Sequence, residues 1–187
     1  MTTDRQRRIE GLIALVLFGL SIPAANWLIG NVGTACVPNG PCLVPVAPGV
    51  MAPSGVLMVG LALVLRDIVQ RRLGAKAALI AITVGALLSG LLAPPAIVIA
   101  SMAAFLLSEL TDFAVYTPLQ RRNFVAAVAA SGLIGLVVDS IVFLQLAFGS
   151  LDFIGGQIIG KAWMVLLALP LMHWLRRRDE RLGLAPA

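Results

Sequence analysis

The chain has 187 residues, 59% of them hydrophobic and 12% charged, with a mean hydropathy of +0.97 and a net charge of +5. That composition excludes an ordinary soluble domain and predicts an all-α, polytopic membrane protein. A hydrocarbon core about 30 Å thick needs about 20 apolar residues per helix, and each span must satisfy its own backbone hydrogen bonds. Membrane topology and attraction to anionic lipid account for the basic balance without a nucleic-acid partner.

Six transmembrane helices in one bundle are expected, at 9–28, 52–70, 75–92, 95–116, 124–148 and 156–174, as a single domain over residues 1–187. Arg5, Arg7 and Arg8 precede the first span. With the small residues of "IPAAN" it also has the outline of a signal peptide. Read as a retained span it keeps Asn26, and Pro23 with Asn26 is expected to interrupt the helix, as at many transporter sites near the midplane. The outer loop, 31–50, contains "CVPNGPC". Cys36 and Cys42, with Pro38, Asn39 and Gly40 turning the chain between them, can close a disulfide in an oxidising compartment or remain free thiols. Two thiols without a nearby His do not make a metal site.

The second span carries Arg66 and Asp67, and Arg71, Arg72 and Lys76 are expected in the turn after it, where Arg71 could pair with Asp67. Ala81, Gly85 and Ser89 on the third span, and Gly132, Gly135 and Asp139 on the fifth, place small residues where helices approach closely. The corner Ala93, Pro94 and Pro95 leads into the fourth span, which contains "SELTDFAVY" and ends before Arg121 and Arg122. Lys161 lies in the sixth span, and Arg176, Arg177, Arg178 and Arg181 follow it. Trp27 and Trp174 suit headgroup-level anchors, and His173 an interface residue. If the spans alternate, every loop Lys and Arg falls on one side. The positive-inside rule then places both termini in the cytoplasm, with the chain in the inner or plasma membrane.

Packing does not explain the ionisable residues within the spans: Arg66, Asp67, Glu109, Asp112, Asp139 and Lys161. Each costs about 2.5 to 3.5 kcal/mol at a helix centre, so each needs a partner or a function. At about 1.5 Å per residue, Arg66 and Glu109 lie in the cytoplasmic halves of their helices, Asp139 and Lys161 towards the outer halves. This predicts a pair between Asp139 and Lys161, which could be a structural staple, and a cluster in which Arg66 faces Glu109 or Asp112. Unless the extra carboxylates are protonated or reach the cytoplasmic edge, two positive and four negative groups call for a cationic or donor-rich ligand to complete the site. Phe105, Glu109, Asp112, Phe113 and Tyr116 share one helical stripe, which either fills the core or offers stacking and carboxylate acceptors to a planar heterocycle with N–H donors.

The motifs "PAANWL" (Asn26), "LVLRDIVQRRLG" (Arg66, Asp67), "SELTDFAVY" (Glu109, Asp112, Tyr116), "VVDSIVFLQLAF" (Asp139, Ser140, Phe143) and "GQIIGKAWM" (Gln157, Lys161) resemble the queuosine-precursor transporter family of small six-span proteins, also called VUT, the vitamin-uptake-transporter-like family. The chain differs from the family pattern in its short length, its compact second turn and the "CVPNGPC" loop. The resemblance implies inward transport of 7-deazaguanine bases, preQ0 or preQ1, salvaged for tRNA modification. It implies a small-molecule nucleobase as substrate, no cofactor and no enzymatic activity, with Arg66 or Asn26 addressing the purine carbonyl and Phe105, Phe113 or Tyr116 stacking on the ring. The sequence does not fix the oligomeric state, and a homodimer is compatible with it. Other readings are a substrate-binding membrane subunit of an ATP-driven vitamin importer, or a small membrane enzyme acting on a lipid phosphate. The arginine distribution predicts that alkaline phosphatase fused after Ala187 is inactive and fused within the 31–50 loop is active. An active C-terminal fusion would reverse the topology.

Overall fold

The computed structural model describes residues 3–36, 41–93 and 95–183. Pro38, Asn39, Gly40 and Pro94, read from the sequence as turn residues, lie outside the described residues. The elements run α1 (Thr3–Asn31), β1 (Ala35–Cys36), β2 (Cys42–Ala47), β3 (Val50–Pro53), α2 (Val56–Leu73), α3 (Ala75–Leu92), a 3-10 turn at Pro95–Ile97, α4 (Val98–Leu119), α5 (Phe124–Phe148) and α6 (Ile154–Leu182). Local chemistry sets several of these ends. The Asn123 side chain caps α5 by accepting from Ala126 N at 3.2 Å, and Gly149 closes it in the left-handed conformation, donating to Gln145 O.

Of the six helices, α1, α3, α4, α5 and α6 are long and apolar enough to cross a membrane. α2 is not, because its 18 residues include Arg66, Asp67, Arg71 and Arg72. The expectation of six equivalent spans is therefore supported for five. α2 instead sits among the others, touching α1, α3, α4, α5 and α6. Burial in the bundle is inverted relative to a soluble protein. Leu91, Ile99, Leu167 and Ile80 are among the most exposed side chains, whereas Arg66 is the largest that is wholly buried. Apolar atoms facing outwards and charges facing inwards suit hydrocarbon as the surrounding solvent.

Three features differ from the sequence reading. First, α1 is continuous through Pro23; the Asn26 amide donates to Ile22 O at 3.0 Å and reinforces the helix instead of interrupting it. A membrane helix tolerates a proline when neighbouring groups absorb the lost backbone bond. Second, the expected outer loop and the start of the second span form an antiparallel sheet in the order β1-β2-β3, with Val44 opposite Ala52 and an irregularity between Pro45 and Ala47. β-branched residues and prolines explain why this stretch extends and α2 begins only at Val56. Cys36 and Cys42 are neighbours across β1 and β2 and are disulfide-bonded. Val46, Ala52 and Val56 bury the sheet against the bundle, and Trp163 of α6 donates its indole N–H to Val46 O at 2.8 Å.

Third, Arg71 and Arg72 are buried within α2, not in a turn. Asp179 of α6 accepts from Arg71 Nε (3.0 Å) and Nη2 (2.8 Å) and from Arg72 Nη1 and Nη2 (both 2.9 Å). Glu10 of α1 joins them, pairing with Arg72 Nε at 3.0 Å and accepting from Arg178 Nη2 at 2.6 Å. The Arg71 guanidinium also lies 4.0 Å over the Phe124 ring. These contacts hold the arginine-bearing ends of α1, α2 and α6 together at one end of the bundle. They also remove Arg71 from Asp67, whose cation is its neighbour Arg66. Asp179→Ala leaves the buried Arg71 guanidinium without a carboxylate and Arg72 with Glu10 alone, and is expected to destabilise the fold by about 3 kcal/mol. Equilibrium unfolding in mixed micelles checks this, and stability within about 0.5 kcal/mol of native would contradict it.

Candidate functional site

A cavity lies in the half of the bundle away from the arginines. It is walled by the later turns of α1, the first turns of α2, α4 and α6, the end of α3, the second half of α5, and Pro53 and Gly55 after the sheet. Its volume, about 90 Å³, is enough for several waters or one small ligand. Seven residues singled out from the sequence line it: Asn26, Phe105, Glu109, Asp139, Phe143, Gln157 and Lys161.

The other six stand behind the wall. Arg66 is wholly buried; its Nε donates to Glu109 Oε2 at 3.2 Å, its Nη1 to Gln70 Oε1 at 2.9 Å, and its Nη2 to Asp112 Oδ1 in the closest contact of the cluster. Asp67 Oδ1 approaches the same Nη2 at 3.0 Å. Phe113 and Tyr116 lie against this guanidinium, 5.9 and 5.5 Å from their ring centroids, so they shield Arg66 and are not among the cavity-lining residues. Ser140 supports Lys161 from behind at 2.9 Å. The stripe read on α4 is therefore divided, with Phe105 and Glu109 on the cavity and Asp112, Phe113 and Tyr116 on the arginine.

The expected pair of Asp139 and Lys161 is present, at 2.6 Å. Lys161 Nζ also donates to Ser140 Oγ and Gln157 Oε1, which uses all three of its N–H groups. The lysine thus neutralises the wall and has no donor left for a ligand. Acceptors remain. Glu109 Oε1 has no hydrogen bond among the described residues, and Asp139 Oδ1 has only a 3.5 Å contact from Ser108. The wall presents free carboxylate acceptors together with two aromatic rings, Phe105 and Phe143.

Sequence reasoning missed the hydroxyls of Ser21, Ser101 and Ser108 on the cavity wall, and it read Ser89 as packing alone. Ser21 and Ser108 donate to backbone carbonyls one turn back, at Phe18 and Phe105, so they read as ordinary helix serines. Only the adjacency of Ser108 to Glu109 carried a signal. Gln70, Thr117 and Ser131 were also missed: Gln70 Nε2 donates to Thr117 Oγ1 at 2.9 Å, and Ser131 Oγ to Asp67 Oδ2 at 3.4 Å. "GGQIIGK", 155–161, has the glycine and lysine spacing of a phosphate loop, but it is helical within α6 and is followed by Ala162 where a hydroxyl would be required.

Residues 86–175 match the model of a protein family described as "Putative vitamin uptake transporter". That stretch includes Glu109, Asp112, Asp139 and Lys161, whereas Asn26, Arg66 and Asp67 lie before it. No curated protein and no solved structure matches the chain. The match and the five apolar helices of crossing length support a multi-pass membrane transporter.

Two glycines let the helices approach closely around the site. A Cβ on Gly60 would stand 2.6 Å from Lys161 O, and one on Gly135 would stand 3.1 Å from the Asp112 Cβ. Gly60→Val is expected to push α2 from α6 at the cavity, costing about 1 to 3 kcal/mol of stability and most ligand binding. Unfolding and binding measured on the same sample check this, and native behaviour in both would contradict it.

Proposed function

We propose that this protein imports a 7-deazaguanine base, preQ0 or preQ1, through the cavity between α1, α2, α4, α5 and α6 into the cytoplasm. The observation that carries the reading is Glu109. Its Oε2 is held by Arg66 from outside the cavity and its Oε1 is unbonded among the described residues, on a wall that also presents Phe105 and Phe143. A deazaguanine edge offers ring and amino N–H groups in one plane, which a fixed carboxylate accepts while an aromatic ring stacks on the face. Asp139, with one oxygen given to Lys161, offers its other to a further donor such as the aminomethyl cation of preQ1. Asn26 and Gln157 add amides that can address the purine carbonyl.

The word "vitamin" in the matching family's description favours a second reading, a substrate-binding subunit of a larger vitamin importer. Both are tested on purified protein by equilibrium binding of preQ0, preQ1 and guanine, with biotin as control, followed by uptake into liposomes containing this chain alone. The expected result is binding of the deazaguanines but not biotin, and uptake without an ATPase. Glu109→Gln should weaken binding about tenfold to a hundredfold, the worth of one hydrogen bond to a charged group. Binding of biotin alone, or uptake only with an added ATPase, favours the importer subunit; binding of no base removes the deazaguanine reading.

A further inference from the structure

Three carboxylates converge on one guanidinium inside the bundle. Asp67 and Asp112 both approach Arg66 Nη2, and Glu109 approaches Nε. Arg66, Asp67 and Asp112 have no exposed surface and Glu109 is 2% exposed. One positive charge against three potential negative ones leaves a formal excess of two. Ionised carboxylates without compensation are very costly in a medium of low dielectric, and neutral acids are not.

The geometry distinguishes the three acids. Glu109 reaches the cavity, and Asp112 makes the closest contact with the guanidinium. Asp67 is held most loosely: its Oδ1 has no hydrogen bond despite its 3.0 Å approach to Arg66, and its Oδ2 has only the 3.4 Å contact from Ser131. Asp112 Oδ2 is also buried without a partner, as is the Tyr116 hydroxyl on the ring packed against the same guanidinium. Two carboxylate oxygens and a phenol are thus buried beside the guanidinium without hydrogen bonds among the described residues.

Resting on the transporter reading above, we propose that Asp67 and Asp112 together bind one proton, carried on Asp67, and that this proton is coupled to ligand passage through Arg66 and Glu109. A proton on Asp67 supplies an O–H donor for the acceptors around it and leaves the guanidinium to Asp112 and Glu109. Its loss places two like charges on one arginine nitrogen and draws Arg66 towards Asp67, away from Glu109. Because Glu109 is the cavity acceptor, proton occupancy and ligand occupancy influence each other reciprocally.

The charged and titratable groups facing the pair are Arg66 from α2 and Glu109 and Tyr116 from α4; Arg71, one turn on, faces Tyr116 and is held by Asp179. Asp139 of α5 lies beyond Glu109 and is neutralised by Lys161 of α6. The guanidinium at the centre argues against a metal ion, and among the described residues no group of three or more His, Cys, Asp or Glu is arranged to hold one.

The first test needs no ligand. Infrared difference spectra of the purified protein at neutral pH should contain a protonated-carboxyl band that Asp67→Asn removes. The variant should fold, since an amide copies the shape and neutrality of the protonated acid. Should it fail to fold, Asp67→Glu is read instead and must shift the band. Absence of the band, or a band unaltered by these substitutions, overturns the proton site. In liposomes, accumulation of preQ1 should rise about tenfold per pH unit of inward proton gradient, as expected for one proton per ligand. Asp67→Asn should lose that response, whereas Asp67→Glu, which keeps a carboxyl at the proton site, should retain it. Accumulation driven by sodium and indifferent to pH overturns the coupling. The infrared band reports on the proton site whether or not any deazaguanine binds, so failure of the substrate reading is distinguishable from failure of this one.

Discussion

A guanidinium cannot be left unpaired in hydrocarbon, and the architecture is arranged around that constraint. Arg66 sits where lipid cannot reach it because α2 is enclosed by the five other helices. The same charges that disqualify α2 as a simple apolar span make it the axis on which the others pack. Hydrophobic attraction between helices is weak when the surroundings are equally apolar. Satisfying Arg66, Asp67, Arg71 and Arg72 therefore does much of the organising that a hydrophobic core does in water.

The polar groups form three layers along the bundle. In the half away from the arginines, Lys161 is saturated by Asp139, Ser140 and Gln157 and helps wall the cavity. In the middle, Arg66 ties α2 to α4 through Glu109 and Asp112, with Glu109 belonging both to this layer and to the cavity. At the arginine-rich end, Asp179 and Glu10 fasten α6 and α1 to Arg71 and Arg72. A ligand in the cavity is thus separated from that end by two sets of ion pairs, both carried by α2. α2 is the element whose movement would disturb both.

The covalent chemistry lies at the opposite end. The Cys36 and Cys42 disulfide fixes β1 to β2, and β2 with β3 leads directly into Gly55 and Val56 on the cavity wall. Trp163 and the small buried cluster around Val46 hold this sheet against α6 and α2. Residues 41–53 are therefore a structured cap continuous with the cavity wall.

The sequence by itself determined the class of molecule and the charged groups within its spans. Apolar runs of spanning length can be counted, and charges within them are so costly that each announces a partner. Depth along the helix was enough to pair Asp139 with Lys161 and to bring Arg66 to Glu109 and Asp112. What only the tertiary structure decided was which way each group faces. Phe113 and Tyr116 share a stripe with Glu109 yet serve the arginine, because that end of α4 lies beside Arg66 of α2 and not beside the cavity. Pro23 reads as a break and is absorbed within a continuous helix, and the 31–50 loop reads as a connection and pairs as a sheet. Arg71 and Arg72 read as turn residues because their counterions, Asp179 and Glu10, are distant in sequence and converge only when α1, α2 and α6 do. Composition and helical period are local quantities legible in one dimension, whereas the partner of a charge and the wall of a cavity depend on the angle at which separate helices meet.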